Sequence, residues 1–334
     1  MPDSVSPADD PCIGDVSEGH ILRAILARTP AAEHALLGPG DDAAVIAAPS
    51  GSVVVTTDTL VHGPDFRLAW SSAYDLGWKA AAVNLADVAA MGARPTALLV
   101  ALAVPRDLRV SFVEGMADGL RDACAALAPG CAVVGGDLTV SSVLTIAVTA
   151  MGDLEGRRPV TRAGAEVGDV VAVAGELGQA AQGLAVLFGR FRDGDDPVPV
   201  DPAQLAAGER LALNAQLRPV PPIGLGPLAA IAGATAMMDV SDGLAIDAGR
   251  LAAASAVTIA LESRALGADP ARALAGGEDH ALLATFPSDG PLPPGFRAIG
   301  VVQPPREDAP VTCDGIAADP AGWDPYRDWD ATAG

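Results

Sequence analysis

The sequence predicts a mixed α/β (α+β) protein in which mixed sheets are flanked by helices. Three observations carry that expectation. Apolar runs such as 53–55, 96–104 and 281–286 alternate with longer segments of helical period, the pattern of chains that layer helices on sheets. Several runs lead into Gly/Asp turns, among them 40–42, 135–137, 239–243 and 276–279. The length of 334 residues suggests two domains, and hydrophobic residues make up 50% of the chain, enough for large cores. Aromatic residues are only 4%, so Ala, Val and Leu must do most of the packing.

Taken in order, residues 1–16 are polar and acidic and read as a disordered lead-in to a first domain, 17–153. Ile21, Leu22, Ile25 and Leu26 recur at helical spacing and predict a helix over 17–29. A turn at 38–42 precedes a short strand over 43–47. The stretch 53–60 predicts a buried strand that ends in two hydroxyls and a carboxylate, Thr56, Thr57 and Asp58. Residues 72–91 form the clearest helix. Ser72 and Asp75 fit an N-terminal capping pattern, and Gly92 stands where a C-terminal cap belongs. Leu76, Ala80, Val83, Asp87 and Ala90 share one face of it. Asp87 therefore points with apolar side chains, which is costly unless it takes a hydrogen bond or a metal.

The run 96–104 reads as a fully buried strand closed by Pro105, 108–127 as an amphipathic helix, and 131–134 as a strand leading into Gly135-Gly136-Asp137. Another strand spans 143–151. The polar segment 153–159 marks the boundary to a second domain, 154–334. There the pattern predicts strands at 169–174, 235–238, 257–261, 281–286 and 296–302. Helices are expected at 178–188 and 244–255, with a further helix after the acidic surface loop 189–202. Trp323 to Trp329 is the densest aromatic patch.

Charge excludes several functions. With 42 acidic and 21 basic residues the net charge is -21, which opposes nucleic-acid and anionic-membrane binding. Of the basic residues only Lys79 is a lysine. Four scattered cysteines, Cys12, Cys124, Cys131 and Cys313, form no disulfide framework. The N-terminus has no signal-peptide pattern, and no apolar run approaches the roughly 20 residues of a membrane span. A cytoplasmic location is expected.

Asp42, Thr56, Thr57, Asp58, Asp87, Asp137, Asp239 and Asp242 are hard oxygen donors, most of them at expected strand ends. Mg²⁺ takes such ligands and shares them with substrate phosphates. Converging carboxylates repel each other, and divalent cations would relieve this and attract a nucleotide. The familiar nucleotide and hydrolase signatures are absent: no G-x-x-x-x-G-K-[ST], no complete G-x-G-x-x-G, no H-E-x-x-H and no EF-hand loop. Gly175-Glu176-Leu177-Gly178 ahead of a helix could offer N–H groups to an anion. Singly, each signal has a plain structural counterpart. A Gly-Asp turn serves any loop, Ser241-Asp242-Gly243 also fits an N-cap, and Arg162 also fits a surface arginine.

In combination these segments resemble the thiamine-monophosphate kinases, of the superfamily that includes aminoimidazole ribonucleotide synthetase, in their high-GC actinobacterial form. The resemblance rests on 38–45, 56–61, 79–93, 135–137, 161–165, 168–169, 238–244 and 276–279, in the family's order. It implies a two-domain aminoimidazole ribonucleotide synthetase-like fold, a homodimer joined through N-terminal sheets, and ATP-dependent phosphorylation of thiamine monophosphate with Mg²⁺. By position, Asp42, Thr56, Thr57, Asp58, Asp87, Asp137, Asp239 and Asp242 would hold Mg²⁺. Gly136, Asp137, Arg162 and Ser241 would contact ATP, and Asp137, Arg162 and Asp242 would serve the transfer itself. Glu278 and Trp323 would contact thiamine monophosphate. The chain departs from the family at Asp65, which takes the substrate-contact position where a histidine usually precedes Phe66; His62 lies three residues earlier. His280 stands where many relatives have tyrosine. Two alternatives stay open: another ATP-dependent synthetase of the superfamily, and a Mg²⁺/nucleotide-binding relative without turnover. The selenophosphate type relies on an N-terminal Cys or selenocysteine and a nearby lysine, and Cys12 has no lysine beside it.

Overall fold

The computed structural model describes residues 10–38, 43–320 and 322. Its first half contains α1 (Glu18–Leu26), β1 (Ala35–Leu37), β2 (Val45–Ile46), β3 (Val54–Val61), α2 (Ala73–Ala90), β4 (Arg94–Val104), α3 (Val110–Leu127), β5 (Ala132–Val140) and β6 (Thr145–Asp153). These give a four-stranded sheet in the order β3-β6-β4-β5, antiparallel except for the β4–β5 pair. Helices α2 and α3 cover one face, where Leu98, Val100, Ile146 and Val148 join the core with Leu76, Leu85 and Met116.

The second half contains β7 (Val170–Ala174), α4 (Gln179–Arg190), β8 (Arg192–Asp193), β9 (Asp196–Pro197), α5 (Ala207–Leu217), α6 (Leu225–Ile231), β10 (Ala236–Val240) and α7 (Leu244–Ser255). It closes with β11 (Thr258–Leu261), α8 (Pro270–Ala275), β12 (Ala281–Phe286), β13 (Arg297–Gln303), β14 (Val311–Cys313) and β15 (Ile316–Ala317). A seven-stranded mixed sheet runs β10-β12-β7-β13-β11-β14-β15. Val171, Val173, Met238, Val240 and Leu283 pack towards α7 on one face. Met237, Leu282 and Phe286 pack on the other with Ala90 of α2.

The expected helix at 72–91 is α2, with its capping box in place: Ser72 Oγ accepts from the Asp75 N–H and the Asp75 carboxylate accepts from the Ser72 N–H. Gly92 closes it in the left-handed region at φ +73. Helix α2 is buried almost all round, because α3 and the first sheet lie on one side and α5, α6, β10 and β12 on the other. Glycine makes the approach of α3 possible. A Cβ on Gly77 would lie 2.0 Å from the Met116 carbonyl oxygen, and one on Gly119 would lie 2.1 Å from that of Tyr74.

Several expectations are corrected. Residues 1–9 lie outside the described residues, but 10–16 are ordered against the start of α3. Ile13 is buried, and Asp10 accepts from the Ser111 N–H and hydroxyl. β3 does not end at Asp58; it runs on to Val61 as an edge strand, with Val53 and Val55 exposed. A run of valines reports a preference for strand, not for burial. β5 continues through Gly135-Gly136-Asp137 to Val140, because pairing with β4 carries on past the glycines. Asp137 is therefore inside a strand, not at a turn. The loop 189–202 holds the small β8–β9 pair. Helices α6 and α8 and strands β1, β14 and β15 are too short to show a period in sequence. Among the described residues no helix is long and apolar enough to cross a membrane.

The α2–α3 contact predicts a contrast between two glycines. Gly119→Ala should destabilise the fold by about 1–3 kcal/mol through overpacking. Gly189→Ala, on α4 with nothing within 4 Å of its Cβ, should be neutral or stabilise by about 0.5–1 kcal/mol. Thermal unfolding of the two variants checks the order.

Candidate active site

Helix α2, strand β3, strand β10 and the turn before β12 bring their polar side chains to one seam. In β3 the two-residue period sends Thr56 and Asp58 towards α2 and Thr57 to the opposite face. Thr56 Oγ1 donates to the Asp87 carboxylate at 2.7 Å. Asn84, one turn earlier on α2, accepts from the Asp58 N–H at 3.1 Å and donates to the Ala80 carbonyl. Asp87 thus pairs with the strand, not with another helix.

From the second half, β10 delivers buried Asp239, whose carboxylate meets His280 Nδ1 at 3.1 Å. The following Ser241-Asp242-Gly243 turn is not an N-cap by side chain. Asp247, fully buried in the first turn of α7, accepts instead from the N–H groups of Ser241 and Asp242, both at 3.0 Å. Arg250 bridges the Asp242 and Asp247 carboxylates at 2.6 and 2.7 Å. The turn 276–280 leans on this segment. The Glu278 N–H donates to the Ser241 carbonyl at 2.8 Å, and a Cβ on Gly277 would come within 2.2 Å of that same oxygen. Glu278 and His280 hold left-handed backbone at φ +71 and +52, a strained setting for side chains that is met at functional sites. Glu278 is ion-paired with Lys79 of α2. Asp279 caps α4 by accepting from the Ala180 N–H at 2.8 Å, so the helix start expected to receive an anion already has a carboxylate.

Electrostatics show that these groups face one another. Burial first, then the charges of Asp239 and Asp58, push the Asp87 carboxyl up to about 7, against the Thr56 hydrogen bond and His280. Asp58 is raised by burial, eased by His280, and raised further by Asp239, Asp242 and Glu278. Burial carries Asp247 up to about 6. For His280 burial acts downwards, but the hydrogen bond and charge of Asp239, with Glu278, leave it raised. For half-buried Glu278 desolvation acts upwards, yet Lys79 and His280 hold its carboxyl below the usual range. Asp65 accepts from the Val61 N–H at 2.7 Å; burial raises it, and it feels Glu278, Lys79 and Asp58. The position that departs from the family therefore belongs to the same seam.

Of the residues singled out in sequence, Thr56, Asp58, Asp65, Asp87, Asp239, Ser241, Asp242 and Glu278 come together. Thr57 does not: its hydroxyl donates to the Val148 carbonyl at 2.9 Å on the other face. Asp137, beside Gly136, is exposed on β5 and lines an apolar cavity of about 790 Å³ with residues of α1 and β4. Arg162 is exposed in the loop before β7, where its carbonyl accepts from Ser255 Oγ. Asp42 and Trp323 lie outside the described residues. His62 stacks near Phe66, with ring centroids 5.6 Å apart. Sequence reasoning missed Lys79, Asn84, Asp247, Arg250 and His280 as parts of the site. The position of Lys79 as the only lysine was a usable signal for one of them.

The donor set suits Mg²⁺. Mutually repelling carboxylates with raised pKa values are relieved by a divalent cation, and His280 Nε2 and Asp279 Oδ2 are buried without partners among the described residues. No three of the acidic, His or Cys groups described form a ready metal cage.

A pH dependence follows from Asp87. Its carboxyl ionises near 3.8 in the unfolded chain and near 7 in the fold. Between these values only the folded state keeps the proton, so stability falls as pH rises through the window and the ionised group is a standing cost above it. At about 1.4 kcal/mol per pKa unit that cost is on the order of 4 kcal/mol. Asp87→Asn should therefore raise the melting temperature of the metal-free protein by a few degrees at pH 8. The gain should shrink as pH falls towards 4. Melting curves of both proteins across this range check the sign.

Comparison with known proteins agrees with the geometry. The family described as "AIR synthase related protein, N-terminal domain" matches residues 40–154. The chain is 42% identical over 309 residues to the thiamine-monophosphate kinase of Mycobacterium tuberculosis, covering 88% of this chain and 85% of that one. It is 39% identical over 331 residues to that of Corynebacterium glutamicum, covering 94% of each. Among solved structures it is similar to AaThiL complexed with AMPPCP and TMP, at 35% identity and a TM-score of 0.72, covering 85% of this chain and 90% of that chain. The expected aminoimidazole ribonucleotide synthetase-like fold is borne out by these likenesses. With this identity held over most of both sequences, the chain belongs to the thiamine-monophosphate kinase family.

Proposed function

We propose that the seam between α2, β3 and β10 is where this chain uses ATP to phosphorylate thiamine monophosphate to thiamine diphosphate, with Mg²⁺, by direct phosphoryl transfer. The observation that carries this is the facing set Asp58, Asp87, Asp239 and Asp242 in a chain of this family. The likeness to a kinase solved with AMPPCP and TMP supports both substrates.

In this proposal Thr56, Asp58, Asp87, Asp239 and Asp242 hold several Mg²⁺ ions, with Asp42 joining from the 38–42 loop. Bound Mg²⁺ supplies neutralisation of phosphate charge. Thr57 is left out because its hydroxyl is engaged on the far face. Asp247 and Arg250 fix the 241–242 backbone and the Asp242 carboxylate. Gly136, Asp137, Arg162 and Ser241 are assigned to the nucleotide, and Arg162 to charge on the transferring group. Asp65, Glu278 and Trp323 are assigned to the thiamine moiety, whose cationic ring matches two carboxylates. The acceptor is itself an ionised phosphate, so positioning and charge neutralisation suffice and no general base is needed.

The proposal also includes a division into 17–153 and 154–334, a cytoplasmic location and a homodimer. The homodimer is supported by the face of the first sheet turned away from α2 and α3, where Val55 and Ala101 are exposed.

Purified protein with ATP, Mg²⁺ and thiamine monophosphate should form thiamine diphosphate and stop when Mg²⁺ is chelated. Binding without turnover would favour the non-catalytic relative. Arg162→Ala should lower turnover about 10²-fold; unchanged turnover removes Arg162 from the transfer. Mg²⁺ with a non-hydrolysable ATP analogue at 100 times its Kd should stabilise the protein by about 2.7 kcal/mol. No shift in melting temperature would count against an assembled site.

A further inference from the structure

Lys79 is the only lysine in the chain; every other basic residue is arginine. It sits on α2 in a recess, with its side chain 6% exposed, against the Glu278 carboxylate, which keeps 38% of its side-chain surface open. Gln216 of α5, with its amide set to satisfy both ends, accepts from Lys79 Nζ at 3.2 Å and donates to the Ala180 carbonyl at 3.1 Å. The cation is therefore underneath, held by two elements of the second half, and the anion is on top. A lone buried lysine is costly, so it persists where its partners are built for it. In a chain that otherwise uses arginine, a compact ammonium at this position points to a recess shaped for a point charge, not for a planar fork.

Glu278 needs such a support. Its backbone is left-handed at φ +71, and its carboxylate faces Asp58 and Asp65. Without a cation beneath it, repulsion from these acids would turn it away from the seam.

We propose that Lys79 is a positioning residue for the second substrate: a buried pedestal that holds the Glu278 carboxylate aimed at the cationic ring of thiamine monophosphate. This rests on the assignment of Glu278 to that substrate. Lys79 does not touch the substrate, and its effect passes through Glu278.

The test is a double-mutant cycle with Lys79→Met, Glu278→Gln and both together, each screened for folding by circular dichroism. Lys79→Met should raise the KM for thiamine monophosphate about 10- to 100-fold, the range expected when a charged contact is lost, and shift the KM for ATP less than about 3-fold. The double variant should be no worse than the poorer single one, since both remove one unit. If Glu278→Gln leaves the KM for thiamine monophosphate unchanged, the assignment of Glu278 fails and the pedestal with it. If Glu278→Gln impairs that KM but Lys79→Met does not, or impairs both substrates equally, the pedestal alone is overturned. Wild-type protein provides a measurement independent of variant folding. An amine-reactive reagent, followed by mass spectrometry of the single lysine peptide, should modify Lys79 at least about 10-fold more slowly when thiamine monophosphate covers Glu278. A rate that ignores thiamine monophosphate overturns the proposal.

Discussion

The burial of charged and polar groups on α2 is the constraint on which the rest of this structure depends. A helix enclosed on nearly every side would ordinarily be apolar all round, yet α2 carries Lys79 and Asn84 into the interior and Asp87 to its half-buried edge. Each such group is tolerable only with a partner. The partners lie on both sides: Glu278 and Gln216 for Lys79, the Asp58 backbone for Asn84, and Thr56 for Asp87. Apolar packing could let α2 slide against its neighbours. Directional pairs of charge and hydrogen bond allow one register, and so they align β3 of the first sheet with the turn before β12 of the second.

The same constraint makes the site expensive. Burial, with the charge of Asp239 beside it, raises the proton affinity of Asp58 and Asp87. The turn 276–280 adds left-handed backbone at Glu278 and His280. Such features survive where surrounding contacts over-determine them. Here the contacts are the Ser241 carbonyl, the Asp279 cap on α4 and the Lys79 ion pair. Stability is spent to keep carboxylates close, which suits a site for cations and phosphates rather than a resting core.

Local signals were legible in the sequence, and non-local ones were not. The α2 capping box, the Gly92 stop, α7 and β12 follow from short-range chemistry and period, and the structure has them at or within a residue of the expected bounds. Asp87 was readable as a misfit on an apolar face. The extent of β3 and β5 was not, because pairing partners, not side chains, decide where a strand ends. Nor could period alone show that Thr57 turns away from Thr56 and Asp58 until the strand was known to continue. The partners of Lys79, at position 278, and of Asp239, at 280, lie far along the chain. Asp247 was hidden for a different reason: an acid in a first helical turn looks like an ordinary dipole partner, whereas here it reaches back to bind the preceding turn.

The distribution of neutralising partners shows which side of the seam lacks positive charge. Glu278 has Lys79, Asp239 has His280, and Asp242 and Asp247 share Arg250. Among the described residues Asp58 and Asp87 have no ion pair; Asp87 has the Thr56 hydroxyl, and Asp58 has only the distant help of His280. Glu278, Asp242 and Asp247 are thus held by the protein's own cations and Asp239 by the His280 ring, while the acids on β3 and α2 have no ion pair opposite them. Direct cationic side chains at Asp58 and Asp87 would fix the charge balance permanently and leave nothing for an incoming ion to do. Under the proposed function, leaving that side open would place divalent cations against the first sheet, opposite the turn that presents Glu278.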